Sequence, residues 1–498
     1  MVRLSFQLVC PFKAKRELGD VIYTEAFGQS IVILNSVTAA RDLLEKKSNV
    51  FSDRPYLPVG NMMGWGLILP FLRYGPRFRK HRRIFQHCFA PQAISAFRHT
   101  QDRELLKFLR CLLISPDDFI MHIHSLISGI IVSITYGHEV VAEPDPLVQL
   151  IERAVQGVTN FGNLGTTVLD ILPFMRYAPS WLPGMGVKRL IPRARELVDR
   201  VKTQPFEELK AKRAKGVTPS CIMSDLLDQY EEMQAFDPEH EADIMNVGLA
   251  IYAAGSDTTK TTLKALFLNM TIQTEVAKKV QEEIDKVVGR DRLPRLEDRD
   301  DLPYLNCVLK EMYRYVSRTR TCIPHRSTKT EQYRGWTIPA GSMAIANIWC
   351  MMRDEKSFPD PDAFIPERHM ANVMAESNIS RRVSDKDIPA GADDDPSNIV
   401  FGFGRRSSNS CLHICIFLNI LFFIICPGKY LADSTLWLVA ANVLALFDIL
   451  PYVDPDTGKA ENPKLEIDGE GFIAYPKAFR CRIIPRDTKQ VETMLMAV

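Results

Sequence analysis

The chain has 498 residues, 46% hydrophobic and 24% charged, with 62 basic against 60 acidic side chains and a net charge of +2. This excludes a disordered chain, which needs low hydrophobicity or a large charge excess. It also excludes a nucleic-acid binder that works by bulk charge, because phosphate contacts need a basic surplus. The 11 cysteines are scattered without paired spacing, too few for a disulfide scaffold of this size, which favours a reducing or cytosol-facing compartment.

Length alone suggests about three domains at roughly 150 residues each. No internal repeat or linker divides the chain, however, so it reads as one large unit, mainly α with small β-sheets (α+β). The apolar stretch of residues 1–17 is interrupted by Arg3 and Gln7 and ends at Pro11, so neither a signal peptide nor an anchor is assigned to it. Asp20 to Asn35 is two β-branched runs around Gly28-Gln29-Ser30, which predicts a hairpin. Helices are expected after Pro91. Asp243 to Met270 is long, apolar and free of proline, as suits a helix buried around most of its circumference. Thr274 is the expected N-cap of the next helix, in which Val276, Val280, Ile284 and Val287 recur at helical spacing before Gly289 stops it. A third helix is expected from about Pro303, capped by Asp301, with Leu305, Val308, Leu309 and Met312 on one face. From Asn372 to Ser397 the composition shifts to Ser, Asp, Gly and Pro, marking a loop. Cys411 to Cys426 has no charged residue and is the most membrane-like stretch, yet its 16 residues fall short of the roughly 20 a spanning helix needs. Strands return at Glu470 to Pro485, which leaves 487–498 as a tail.

Three patterns carry chemistry when taken together. Glu311 and Arg314 lie three apart on the third expected helix, hence on one face, although such pairs also arise by chance on solvated surfaces. Ala254-Gly255-Ser256-Asp257-Thr258-Thr259 interrupts an apolar helix with small and polar residues. Something flat could approach the backbone at Ala254 and Gly255, and a threonine hydroxyl can bond back to an upstream carbonyl and bend the helix. A polar patch in a helix packing seam is the plainer reading. The third pattern is Phe401-Gly402-Phe403-Gly404-Arg405-Arg406 with Cys426-Pro427-Gly428-Lys429-Tyr430-Leu431-Ala432-Asp433 further on.

With these residues the chain resembles the cytochrome P-450 haem-thiolate monooxygenases, and in overall look the fungal microsomal type. The resemblance runs from about Leu18 to about Pro485. Its further marks are Phe51-Ser52-Asp53-Arg54-Pro55, Gly75 to Arg82, Ile323-Pro324-His325-Arg326, and Phe358-Pro359-Asp360-Pro361 leading to Pro366-Glu367-Arg368. Each is weak alone; together and in this order they are specific. The resemblance implies a single domain over residues 18–486 with the cytochrome P-450 fold, the haem lying between the long central helix and the cysteine loop. It implies that Cys426 is the axial thiolate of haem iron, with Phe401 and Gly428 shaping the cofactor loop and Arg82, Arg326 and Arg406 holding the propionates. A plain buried cysteine fits Cys88 or Cys307 better than it fits a Cys-Pro-Gly. Asp257 and Thr258 would be the acid–alcohol pair that relays protons. Glu311, Arg314 and Arg368 would form a buried structural charge triad. The implied activity is insertion of one oxygen atom from O2 into an apolar organic substrate, as in secondary metabolism. Electrons would come from NADPH through NADPH-cytochrome P-450 reductase, with cytochrome b5 as a further partner. No Gly-x-Gly-x-x-Gly fingerprint is visible, in agreement with electrons arriving from a separate protein.

Three departures from the family pattern follow. Residues 407–424 (SSNSCLHICIFLNILFFI) are 18 extra residues between Arg406 and Cys426, rich in the Phe, Leu and Ile that a U-rich RNA encodes. They read as a retained short intron; a genuine insertion would be expected to loosen Phe401, Gly404 and Arg406 from Cys426 and weaken haem binding. Phe78 stands where the family usually has tryptophan, losing an indole donor while Arg79 and Arg82 keep the charge. The N-terminal segment is shorter than the anchor and hinge of microsomal relatives, so a truncated N-terminus is expected, and with it an intact protein at the endoplasmic reticulum membrane, cytosolic face. Two alternatives stand beside the monooxygenase: a folded remnant that cannot bind haem, and a haem-thiolate isomerase or peroxygenase, against which the Asp257–Thr258 pair argues. Phe161, Leu164 and Phe174 are candidates for the substrate pocket or for plain core.

Overall fold

The computed structural model describes residues 19–26, 28–140, 145–159, 167–182, 185–217, 219–232, 238–316, 321–381, 395–403, 426–461, 463–468 and 475–496. Two strands open it, β1 (Val21–Ala26) and β2 (Gln29–Leu34). The principal helices are α1 (Pro76–Cys88), α2 (Arg98–Ile114), α3 (Phe119–Tyr136), α4 (Pro146–Thr159), α5 (Val187–Ala214), α6 (Pro238–Ile272), α7 (Thr274–Val287) and α8 (Pro303–Tyr315). Strands β3 (His325–Arg326) and β4 (Met343–Ala346) follow, then α9 (Lys429–Leu446), β5 (Phe447–Pro451), β6 (Cys481–Pro485) and α10 (Thr488–Met496).

The expected hairpin forms, but Gln29 and Ser30 belong to its second strand, pairing with Ala26 and Glu25, and Gly28 takes the left-handed φ of +77° that the tight turn requires. In the four-stranded sheet, order β1-β2-β4-β3, β2 runs parallel to β4 and β4 antiparallel to β3. A second ribbon pairs β5 with β6. One apolar core fills the helical body around α2, α3, α6 and α9; a smaller one lies under the sheet, with Val32, Leu34, Phe358, Ile399 and Phe403. Among the described residues one helix, Pro116–Tyr136, is long and apolar enough to cross a membrane, yet 67% of its most apolar stretch is buried inside the protein, as in a core helix. Residues 404–425, with the uncharged run up to Ile425, lie outside the described residues.

Where the chain differs from expectation, tertiary partners are the reason. Helix α1 begins before Pro91. Thr274 is the first residue of α7 rather than its cap, and α8 is not capped by Asp301. The α8 terminus is served from outside: the Glu283 carboxylate accepts the Tyr304 and Leu305 N–H groups at 2.7 and 3.0 Å. The expected loop contains a helix, Met370–Arg381, held by buried Val373 and by Lys310, whose ammonium meets Glu376 at 2.8 Å. The expected tail is α10. It buries Val491 and Leu495, and the Arg110 guanidinium donates to the Leu495 carbonyl at 2.8 and 3.0 Å. Leu495→Ala is therefore expected to destabilise the fold by about 2 kcal/mol, the low end for a buried leucine because a terminal helix can resettle; an unchanged thermal midpoint would show that α10 is not part of the cooperative unit.

Candidate active site

Helix α6 packs on both α1 and α9, so the residues these three carry share one region. Most of α6 is buried, but Ala254 and Thr258, one turn apart on one face, are exposed in mid-helix. The helix runs unbroken through this point. Four hydroxyls donate to carbonyls four residues back: Thr258 to Ala254, Thr259 to Gly255, Thr261 to Asp257 and Thr262 to Thr258, at 2.7 to 2.9 Å. Gly255 faces the other way: a Cβ there would come within 3.0 Å of the Ile131 side chain on α3, so its small size serves helix packing, whereas that of Ala254 leaves the open face free.

Cys426 immediately precedes α9. Its surface is accessible, so a ligand can reach it. Burial raises its thiol pKa, opposed by a Gly428 backbone N–H and by Arg82 and Lys429. A Cβ added to Gly428 would meet nothing within 4 Å, so the chain leaves room there. The Cys426 N–H donates to the Phe401 carbonyl at 3.0 Å, and the Phe401 ring packs on Tyr313 and under the Lys429 ammonium. The extra residues thus do not separate Phe401 from Cys426; Gly404 and Arg406, the other residues of that expectation, lie outside the described residues. Gly402, at φ +89°, lets the backbone turn away directly after Phe401.

Buried positive charge gathers beside the cysteine. Arg82 on α1 is buried; burial pulls its pKa to about 10, Cys426 opposing and Arg54 adding to the effect. Arg54 is lowered to about 10 for the same reason, and its guanidinium donates to the Ile323 and Pro324 carbonyls at 2.6 and 2.9 Å. Arg326 donates to Asp53 at 3.1 Å, a carboxylate it shares with Arg73. His325 is held neutral by burial and by Arg54, with its Nδ1 on the Phe51 carbonyl at 2.7 Å. Arg54 and Arg82 repel each other, and a ligand with two carboxylates would relieve that repulsion. An accessible cysteine thiol, an exposed patch on a buried helix and paired buried arginines together fit a haem.

The acid expected beside Thr258 is Asp257, whose pKa is raised by burial. Behind it Lys260, itself buried, pairs with Glu152 at 2.7 Å, and His124 lies 3.8 Å from the same carboxylate. His124 and Lys260 hold Glu152 at about 2 against the opposing effect of burial.

The three triad residues meet. Arg314 donates to both Glu311 oxygens at 2.9 and 2.7 Å, and Arg368 lies 3.3 Å from one of them. Glu311 also accepts the Ile365 N–H and faces His369 Nε2, both at 2.8 Å. Arg314 further donates to the Met352, Pro361 and Ala363 carbonyls. Burial opposes ionisation of Glu311, but Arg314 and His369 overcome it and bring its pKa to about 2.

Arg406, Gly404, Phe161 and Leu164 lie outside the described residues. Phe174 is 66% exposed on the turn of residues 173–177, so it is not core. Phe78 is buried against Tyr74, over whose ring Arg79 lies. Burial pushes the thiols of Cys88 and Cys307 to about 12, as suits inert core residues. Sequence reasoning assigned no role to Arg54, His325, His369, Lys260 or Glu152. The first three adjoin motif residues, a usable signal; Lys260 and Glu152 are joined only by the fold.

A family description of cytochrome P450 matches residues 7–412, ending inside the run between Arg406 and Cys426. The chain is 35% identical to cytochrome P450 monooxygenase 136 of Postia placenta over 95% of its own length and 83% of that protein's. It is 35% identical to cytochrome P450 monooxygenase COX2 of Coprinopsis cinerea over 96% and 84% of the two chains. It is 32% identical to tryptamine 4-monooxygenase of Psilocybe cyanescens over 94% and 86%.

Glu311→Gln leaves Arg314 and Arg368 buried without their countercharge, and breaking a buried pair in this way costs about 3–5 kcal/mol, so the thermal midpoint at neutral pH is expected to fall sharply. In the parent chain the stabilisation from ionised Glu311 is fully present above its ordinary value of 4.5 and is lost as pH falls towards about 2. The gap between the two chains should therefore narrow across that window, and a constant gap would show that charge is not what the residue contributes.

Proposed function

Since this chain belongs to the cytochrome P450 family and is a monooxygenase of that type, we propose that Cys426 is the thiolate ligand of its haem and that it oxygenates an apolar organic substrate. Electrons are proposed to come from NADPH through a separate flavoprotein, NADPH-cytochrome P-450 reductase, with cytochrome b5 as a further partner. A location on the cytosolic face of the endoplasmic reticulum membrane belongs to the same proposal and rests on resemblance to the microsomal type.

The observation that carries this reading is the bond between Cys426 and Phe401, which sets an accessible cysteine at the head of α9. Haem, when bound, would supply the redox chemistry of its iron. The chain's own residues do the rest. Cys426 would offer its sulfur, with the Gly428 N–H directed at it. Arg82, Arg326, Arg406 and the additional Arg54 would hold the propionates, planar guanidinium groups being suited to carboxylates. Ala254 keeps the α6 face flat. Thr258 Oγ, bonded to the Ala254 carbonyl, can accept a proton and pass one on, and the raised pKa of Asp257 suits a group that must pick protons up again.

Residues 407–424 are proposed to be a retained intron, dispensable for this loop. In support, the family match stops at residue 412, and Phe401 and Cys426 are already bonded across the run. Messenger RNA in which every copy keeps the corresponding segment would overturn this.

The full chain and a version lacking 407–424 are both expected to show the red-shifted, thiolate-type Soret band of the reduced carbon monoxide complex; its absence from both would sink the haem-thiolate reading. Cys426→Ser is expected to abolish the band. Thr258→Ala should keep the band and continue to consume NADPH while forming less product per NADPH, roughly the 10²-fold or greater contribution of a positioned proton donor. Unchanged coupling would remove Thr258 from the proton route.

A further inference from the structure

Helix α1 carries two functional faces. Arg77, Lys80 and His81 stand at i, i+3 and i+4 and so share one; Phe78, Arg82 and Phe85 stand at i, i+4 and i+7 and form the next. The second face presents Arg82 towards Cys426. The first converges on a single carboxylate, Asp243 of α6. Asp243 Oδ1 accepts from Arg77 Nε at 2.7 Å, lies 2.7 Å from Arg77 Nη2, and meets His81 Nε2 at 2.9 Å. Its Oδ2 lies 2.7 Å from the Lys80 ammonium, which also sits over the Tyr230 ring. Asp243 and His81 are wholly buried. Since a carboxylate can only accept, His81 holds its proton on Nε2.

A buried carboxylate gripping three side chains of one helix fixes two things at once. It sets the rotation of α1 about its axis, because all three partners must face α6. It sets the height as well, because partners on successive turns allow no slip. Either change would carry Arg82 away from the cysteine, since the two faces belong to one rigid cylinder. Stability alone does not ask for this arrangement: a buried ion cluster is no more stabilising than well-packed apolar residues of the same volume.

We propose that Asp243 is a positioning residue for cofactor binding, which holds α1 in the register that directs Arg82 at the haem; this rests on the haem-thiolate reading above. It touches neither cofactor nor substrate and acts through Arg82. An asparagine in its place would turn its NH2 either towards the Lys80 ammonium or towards the Arg77 and His81 donors, so the cluster could not persist in either flip.

The test is haem retention by the full-length chain, read as the rate of haem transfer to excess apomyoglobin, beside the thermal midpoint of each variant. Asp243→Asn is expected to lose haem about 10- to 100-fold faster, the usual effect of removing a group that orients a ligand-holding residue. Arg77→Leu leaves Asp243 paired to Lys80 and His81, keeps the protein folded if the harsher variant does not fold, and is expected to speed loss by about tenfold or less. In an Arg82→Ala background either change should add less than about twofold, because residues acting through one another are not additive. Full additivity in that background, or unaltered haem loss in both single variants, would overturn the inference while leaving the haem-thiolate reading intact. Asp285→Asn, which breaks the ion pairs to Arg290 and Arg486 at the α7 end, is the control and should lower the midpoint without speeding haem loss. If it speeds loss as much as Asp243→Asn for the same fall in midpoint, the effect is one of general stability and the inference fails. A parent chain that takes up no haem at all would overturn the haem-thiolate reading, and with it this one.

Discussion

The site depends on one backbone hydrogen bond, from Cys426 N–H to the Phe401 carbonyl. It joins two points 25 positions apart and so closes a loop whose entropic penalty grows only slowly with length. What closes it is local: the Phe401 ring against Tyr313 on α8, the Lys429 ammonium over that ring, and the sharp turn that Gly402 allows. These hold both ends whatever lies between them. Once they are set, Cys426 and the start of α9 three residues later have a fixed place, and α6 packs on both α9 and α1.

Around that space the fold keeps charges buried, and it does so by sharing each carboxylate among several partners. Glu311 holds Arg314, Arg368, His369 and a backbone N–H; Asp53 holds Arg73, Arg326 and the Tyr74 N–H; Asp243 holds Arg77, Lys80 and His81. A single buried pair is a weak source of stability. A carboxylate with three or four donors from separate segments is a geometric clamp: Glu311 ties α8 to the turn at Ile365–His369, Asp53 ties β3 to the Arg73–Tyr74 turn, and Asp243 ties α6 to α1.

How much of this was legible follows from where each signal resides. Apolar patterning gave α6, α7, α8 and the hairpin, since a buried face repeats in the chain itself, whereas α1, before Pro91, was not expected. The triad and the cysteine loop were readable because their residue types and order are specific. Helix ends were not: α8 is capped by Glu283 of α7, and nothing local to Leu302 shows that. The helix Met370–Arg381 was hidden by its polar surroundings, its stability resting on Lys310 and on one buried valine. Gly255 looked like a site for a flat ligand, but the atom nearest its missing Cβ belongs to α3. Clusters such as Asp243 with α1 join residues more than 160 positions apart, and no spacing rule reaches that far.

The central helix shows the same logic in miniature. Six small or polar residues in a row would weaken an isolated helix, because Ser and Thr hydroxyls and Gly compete with or loosen its hydrogen bonds. In α6 the threonines turn that competition inward, each hydroxyl donating to a carbonyl already used by the ladder, so the helix stays continuous while the threonine hydroxyls are satisfied within it. Gly255 meanwhile admits Ile131 of α3 on one side, and Ala254 keeps the other side clear. The segment is therefore asymmetric: close-packed towards α3 at Gly255, open at Ala254, with the Thr258 hydroxyl beside the open face. A helix of leucines would be more stable there and would fill the space that the site requires.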